Sequence, residues 1–179
     1  MQDLAWPLRF RRNQLHDAAA RAYDSVVAQA RQPKFFTQLG VPDTLDGRFE
    51  LICLHAFLYL LRLKGTEPPA AELAQRFFDR MFADFDRSLR EIGTGDLGVG
   101  RQVKLMAKAF YGRIRAYEDG LAGDDDALCA ALARNLYGTA EATEEQLMGV
   151  ATYLRREAAS LAALPAASLL AGSIGFGAP

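Results

Sequence analysis

Leu51-Ile52-Cys53-Leu54-His55-Ala56-Phe57-Leu58-Tyr59-Leu60-Leu61 is the stretch that decides the fold. Wound as a helix it is apolar on every side, so a helix over residues 45–64 is predicted to sit at the centre of a bundle. The run holds eleven residues and is interrupted by His55, whereas a bilayer span needs about 20 apolar residues. His55 reads as a hydrogen-bonded core residue. Pro42-Asp43-Thr44-Leu45-Asp46 reads as the helix start, with Asp43 as N-cap and Asp46 where a carboxylate suits the helix dipole. Gly65 closes the helix.

Working outward, helical periodicity continues on both sides and strand alternation is nearly missing. A helix over 13–31 carries Leu15, Ala19, Ala22, Tyr23, Val26 and Ala30 on one face and ends at Pro33, before a short turn over 35–39. Pro68-Pro69 opens a helix over 69–92. Its Leu73, Phe77, Phe78, Met81, Phe82, Phe85, Leu89 and Ile92 fall within about 180° at roughly 100° per residue. Asp84 lies at the edge of that stripe, where a partly buried carboxylate calls for a basic partner on another helix. Gly93 ends this helix and a further one covers 99–121. Asp124-Asp125-Asp126 opens a helix stopped by Gly138, and Thr143-Glu144-Glu145-Gln146 is a capping box for a last helix ending near Pro165.

The expected architecture is all-α, a single-domain bundle of about six to seven helices around an apolar central one. A flexible basic N-terminus over 1–12, a helical domain over 13–165 and a loosely ordered Ala/Gly-rich tail over 166–179 are the expected parts. The chain's 179 residues suit one domain, and half of them are apolar. A net charge of −1 argues against a general polyanion binder while allowing a local basic patch. Cys53 and Cys129 lie in apolar helical contexts and read as reduced, buried thiols.

Catalytic constellations fail on geometry. Gly93-Thr94-Gly95-Asp96-Leu97-Gly98-Val99-Gly100 matches G-x-G-x-x-G, but that motif needs a strand before the loop and here a helix precedes it. The stretch reads instead as a tight corner between helices, with glycines at positive φ and Asp96 as N-cap. A di-iron bundle needs Glu-x-x-His pairs, and neither His16 nor His55 has a glutamate three residues before it. Cys53 and His55 point about 160° apart on one helix and cannot form a local nucleophile–base pair. The expectation is therefore a non-catalytic protein with no cofactor and no metal.

The helix over 99–121 is more informative. Arg101, Lys104, Lys108 and Arg115 share an arc of about 60°, with no acid between Arg101 and Arg115. Val103, Met106, Ala107, Phe110, Ile114 and Tyr117 fill the opposite side. Such a stripe is either a solvated face or a contact for an anionic surface: an acidic protein patch, RNA phosphate or lipid headgroups.

Three blocks carry a family resemblance. They are Val27–Arg31 with Gln38-Leu39-Gly40-Val41-Pro42-Asp43-Thr44-Leu45-Asp46-Gly47-Arg48-Phe49; Phe78-Asp79-Arg80-Met81-Phe82-Ala83-Asp84-Phe85-Asp86-Arg87-Ser88-Leu89-Arg90-Glu91; and Gly95–Arg101 with Lys104-Leu105-Met106 and Ala109-Phe110-Tyr111-Gly112-Arg113. Over about residues 20–140 the chain resembles the ubiquinol–cytochrome c chaperone family, assembly factors of the cytochrome bc1 complex (respiratory complex III). The resemblance implies a chaperone that binds newly made, haem-poor cytochrome b, beside the ribosome and with a small helical partner protein. With no convincing transit peptide or membrane anchor in the sequence, the expectation is a bacterial member working in the cytoplasm, at or near the inner membrane. Lys104, Tyr111 and Arg113, with Arg101, Lys108 and Arg115, make up the expected partner-binding surface; Asp43, Asp46, Gly47, Gly93, Asp96 and Gly100 make up the loops and caps that shape it. An RNA- or ribosome-binding helical module and a membrane-surface adaptor are the alternatives.

Overall fold

A helix that is apolar all round has to be covered all round, and the computed structural model, which describes residues 5–179, shows what covers it. In chain order the helices are α1 (Ala5–Ala30), α2 (Pro33–Thr37), α3 (Leu45–Leu63), α4 (Ala70–Glu91), α5 (Asp96–Ala122), α6 (Asp125–Asn135), α7 (Glu144–Ala163) and α8 (Ala166–Leu170). There is no strand among the described residues. The fold is an all-α bundle in which α3 packs against α1, α4, α5 and α7. Leu51, Cys53, Leu54, His55, Ala56, Phe57, Leu58 and Tyr59 are all buried, as a central helix requires.

The flanking helices each offer one apolar face. On α4 the buried residues are Ala70, Leu73, Phe77, Met81, Phe82, Phe85 and Leu89, and the rings of Tyr23 and Tyr59 each meet Phe77 edge to face. Burying each such aromatic is worth about 1.5–3 kcal/mol. Ile92, which the periodicity places on the same stripe, is the exception at 61% exposed, because the helix ends at Glu91 and the chain turns there. The capping box on α7 forms as expected, with reciprocal bonds between Thr143 and Gln146. Asp84 accepts a hydrogen bond from the Tyr23 hydroxyl across the helix pair at 2.8 Å. Its ionic partner is Arg87 on its own helix, not a basic residue on another one.

Two expected caps are corrected. Thr44, not Asp43, caps α3 by accepting from the Gly47 amide, while Asp43 pairs with Arg48. Gly95, not Asp96, occupies the N-cap of α5, and Asp96 pairs with Arg90 across the corner. Of the corner's glycines only Gly93 takes a positive φ, +90°. Gly100 lies inside α5, a residue type that helices tolerate at a cost.

The two chain ends also depart from expectation. Residues 1–4 of the basic N-terminus lie outside the described residues, while residues 5–12 continue α1. The tail over 166–179 is packed rather than loosely held. Leu169 is wholly buried and Ile174 nearly so. Arg21 donates to the Ala171 carbonyl, Gln29 to the Gly177 carbonyl, and the Gly177 amide donates to Glu157. Long-range polar partners of this kind leave no trace in the composition of the tail itself.

Candidate functional site

A cleft of about 730 Å³ opens where the ends of α1, α4 and α6 meet the start of α3 and the first half of α5. Part of its floor is apolar. Phe49 meets Phe85 edge to face at 5.1 Å between centroids, with Leu89 and Met106 beside them. Leu45, Ile92 and Leu105 line the cleft and are 61%, 61% and 52% exposed. Only Tyr111 and Met148 join them as strongly exposed large hydrophobics among the described residues. Three of the five strongly exposed large apolar side chains among the described residues therefore line one opening.

The loop before α3 sets the near wall. A Cβ on Gly47 would sit 2.0 Å from the Pro42 carbonyl oxygen, so only glycine lets this loop close onto the first turn of α3. That closure aims Leu45 and Asp46 at the opening. The Gly93 corner similarly sets the angle at which Ile92 and α5 meet it.

A buried ion pair anchors the base of the cleft. Arg113 grips Glu50 through two guanidinium nitrogens, and its guanidinium carbon stands 5.6 Å over the Phe49 ring. Glu50 is only 6% exposed. Burial pushes its carboxyl above the ordinary glutamate range, against the opposing pull of Arg113. Arg113 thus faces inward and is occupied, which separates it from the surface that the sequence assigns to it.

The other cations of α5 stand apart from it. Arg101, Lys104, Lys108 and Arg115 are exposed, and among the described residues none lies within 4.0 Å of a carboxylate. Elsewhere, Lys64, Arg76, Arg87, Arg90, Arg155 and Arg156 are each tied to an acid, while Arg21, Arg31, Lys34, Arg62, Arg80 and Arg134 are scattered cations with no side-chain carboxylate within 4.0 Å among the described residues. The stripe adjoins the α5 wall of the cleft at Leu105. Tyr111 lies along its other edge, stacked on Phe78 at 5.6 Å. The expected six-residue surface therefore resolves into a four-cation stripe, a flanking aromatic and an inward ion pair. No local pattern in the sequence marks the cleft as a unit, because its walls come from five separate helices.

The groups with catalytic potential are differently placed. His55 is wholly buried, donates from Nδ1 to the Leu51 carbonyl at 2.7 Å, and accepts at Nε2 from the Tyr153 hydroxyl at 2.8 Å. Gln29 in turn donates to that hydroxyl. Burial pulls the imidazole down to about 4, so it is neutral in the folded protein near neutral pH. Cys53 is buried and its thiol is pushed well up by desolvation, which leaves it a poor nucleophile. Cys129, expected to be buried, is half-buried on α6. No cluster of three or more His, Cys, Asp or Glu side chains with metal-binding geometry occurs among the described residues. No helix among them is long and apolar enough to cross a membrane.

Comparison with known proteins covers most of the chain. A family model described as ubiquinol-cytochrome C chaperone matches residues 37–176. The chain is 27% identical to the ubiquinol-cytochrome-c reductase complex assembly factor 1 of Xenopus laevis, over 92% of this chain and 82% of that protein. It is 29% identical to the mitochondrial protein CBP3 of Saccharomyces cerevisiae, over 58% of this chain and 32% of that one. The chain spans about half the length of the mouse assembly factor, 51%, at 27% identity. Among solved structures, the crystal structure of the Cbp3 homolog from Brucella abortus superposes with a TM-score of 0.87 at 38% identity, covering 98% of this chain and 97% of that one.

Proposed function

The chain belongs to the ubiquinol–cytochrome c chaperone family, and from that premise we propose that it is a non-catalytic assembly chaperone of the cytochrome bc1 complex whose cleft holds newly made cytochrome b. The observation that carries the reading is the gathering of Leu45, Ile92 and Leu105 around one cleft whose floor carries an apolar patch of Phe49, Phe85, Leu89 and Met106. A membrane protein awaiting its cofactors exposes apolar helix surface, and a chaperone for it needs apolar surface of its own that stays soluble. Here that surface is recessed, with Met106 on the floor as an adaptable contact. Arg31, Arg48 and Asp46 at the lining supply polar contacts for a client loop.

The relatives named as reductase assembly factors support the same reading. So does the buried, hydrogen-bonded state of His55, which leaves the protein's one core imidazole committed to structure. In this reading the chaperone meets its client as it is made, in the bacterial cytoplasm beside the ribosome and at the inner membrane, with a small helical protein as co-chaperone.

The test is a pair of charge insertions at the mouth. Leu45→Asp and Ile92→Asp replace exposed side chains, so the fold and melting temperature should hold while the cellular amount of assembled bc1 complex drops. Normal bc1 levels in cells that make the doubly substituted protein in place of the parent would refute the assignment of the cleft.

A further inference from the structure

The cleft leaves the four-cation stripe of α5 without a role. We propose that this outer face of α5 docks the protein on the surface of a bilayer containing anionic lipid. Arg101, Lys104, Lys108 and Arg115 point to solvent, and among the described residues no acid within 4.0 Å neutralises them. They span about 21 Å along a continuous helix, at 1.5 Å per residue. The stripe is edged on one side by Leu105 and on the other by Tyr111, which are 52% and 58% exposed. Cations in a row with an aliphatic and a phenolic side chain beside them match a helix lying along a membrane interface. The lysine and arginine heads meet lipid phosphates, while leucine and tyrosine sit at headgroup level.

RNA would also attract the cations, but two features favour the bilayer. Tyr111 already has a ring face covered by Phe78, with 27° between the planes, so it is poorly placed to sandwich a base. Leu105, which the stripe shares with the mouth of the cleft, gives the cations an apolar edge that suits a bilayer interface and adds nothing against a phosphate backbone. The attraction is local, because the whole chain carries a net charge of −1 and Asp119 reverses the sign just beyond Arg115. Docked this way, α5 would lie along the membrane with the cleft opening beside it. The proposal does not depend on which client the cleft holds.

Co-sedimentation of the full chain with vesicles tests it. Vesicles of phosphatidylcholine alone are compared with vesicles that also contain phosphatidylglycerol, across a salt series, with a single-stranded RNA as a separate arm. Binding should require the anionic lipid and weaken with salt. Removing two charges as Lys104→Ala with Lys108→Ala should weaken it roughly 25-fold, at about fivefold per cation. Tyr111→Ala should weaken it while leaving the salt dependence in place, and Lys34→Ala, off the stripe, should change nothing. Circular dichroism of each variant should match the parent, since the replaced groups are exposed. Equal binding to both vesicle types, an unaffected double variant, or stripe-dependent binding to RNA with none to vesicles would each overturn the proposal. Leu45→Asp and Ile92→Asp lie off the stripe, so the two readings fail separately.

Discussion

Glu50 and Arg113 set the sharpest energetic constraint at the scale of single residues. The carboxylate is nearly sealed from solvent, and the arginine fork is what compensates it. Arg113→Ala should therefore cost about 3–5 kcal/mol in chemical denaturation, the range for stranding one partner of a buried pair. Adding Glu50→Gln to that variant should recover part of the loss, and strict additivity of the two substitutions would show that they are not coupled. His55 gives a pH signature. The unfolded imidazole takes a proton below about 6.5, the folded one only below about 4, so the unfolded state holds more protons in between. Stability should fall as pH drops through that window, by up to about 3 kcal/mol from this group. His55→Gln should flatten the slope of unfolding free energy against pH there, and an unchanged slope would remove His55 as its source. The sequence placed His55 in the core from its surroundings, but its partner Tyr153, and Gln29 that donates to the Tyr153 hydroxyl, come from distant helices that no local pattern links to it.

Within the elements, periodicity located each principal helix, because one-sided or all-round apolar spacing is a property of consecutive residues. Helix ends were less legible where two capping side chains stand side by side. Asp43 and Thr44 both can cap, and the choice falls to Thr44 because Arg48, five residues on, draws Asp43 away. Asp96 is likewise drawn to Arg90. Thr143→Ala should cost about 1 kcal/mol, the usual value of a lost N-cap. Gly47→Ala should cost more, about 1–3 kcal/mol by the measure of an overpacked site, because the added carbon meets the Pro42 carbonyl and the loop has to move. Urea titration checks both, and a Gly47→Ala variant as stable as the parent would show that the loop gives way freely.

Taken whole, the molecule is a covered central helix with a recess left open at its α3 start. The cover was legible and the recess was not, since residues 27–31, 45–52, 84–92, 102–113 and 134–139 all contribute to it. Ile92 shows why: helical spacing counts it as core, and only the turn of the chain after Glu91 brings it to the mouth. The tail has a similar lesson, for its few large side chains are directed inward by Arg21 and Gln29. Removing residues 166–179 should lower stability by about 1.5–3 kcal/mol for each of Leu169 and Ile174 lost from the core. An unshifted denaturation midpoint would show that the tail's docking adds nothing. The central claim, that the cleft is where cytochrome b is held, is met most directly by site-specific photo-crosslinking in cells making the bc1 complex. A photoreactive side chain at Ile92, and in parallel one at Met148 on α7, which is exposed but outside the cleft lining, should capture cytochrome b peptides from Ile92 and not from Met148. Capture of cytochrome b from Met148 alone, or from neither position, would contradict the account.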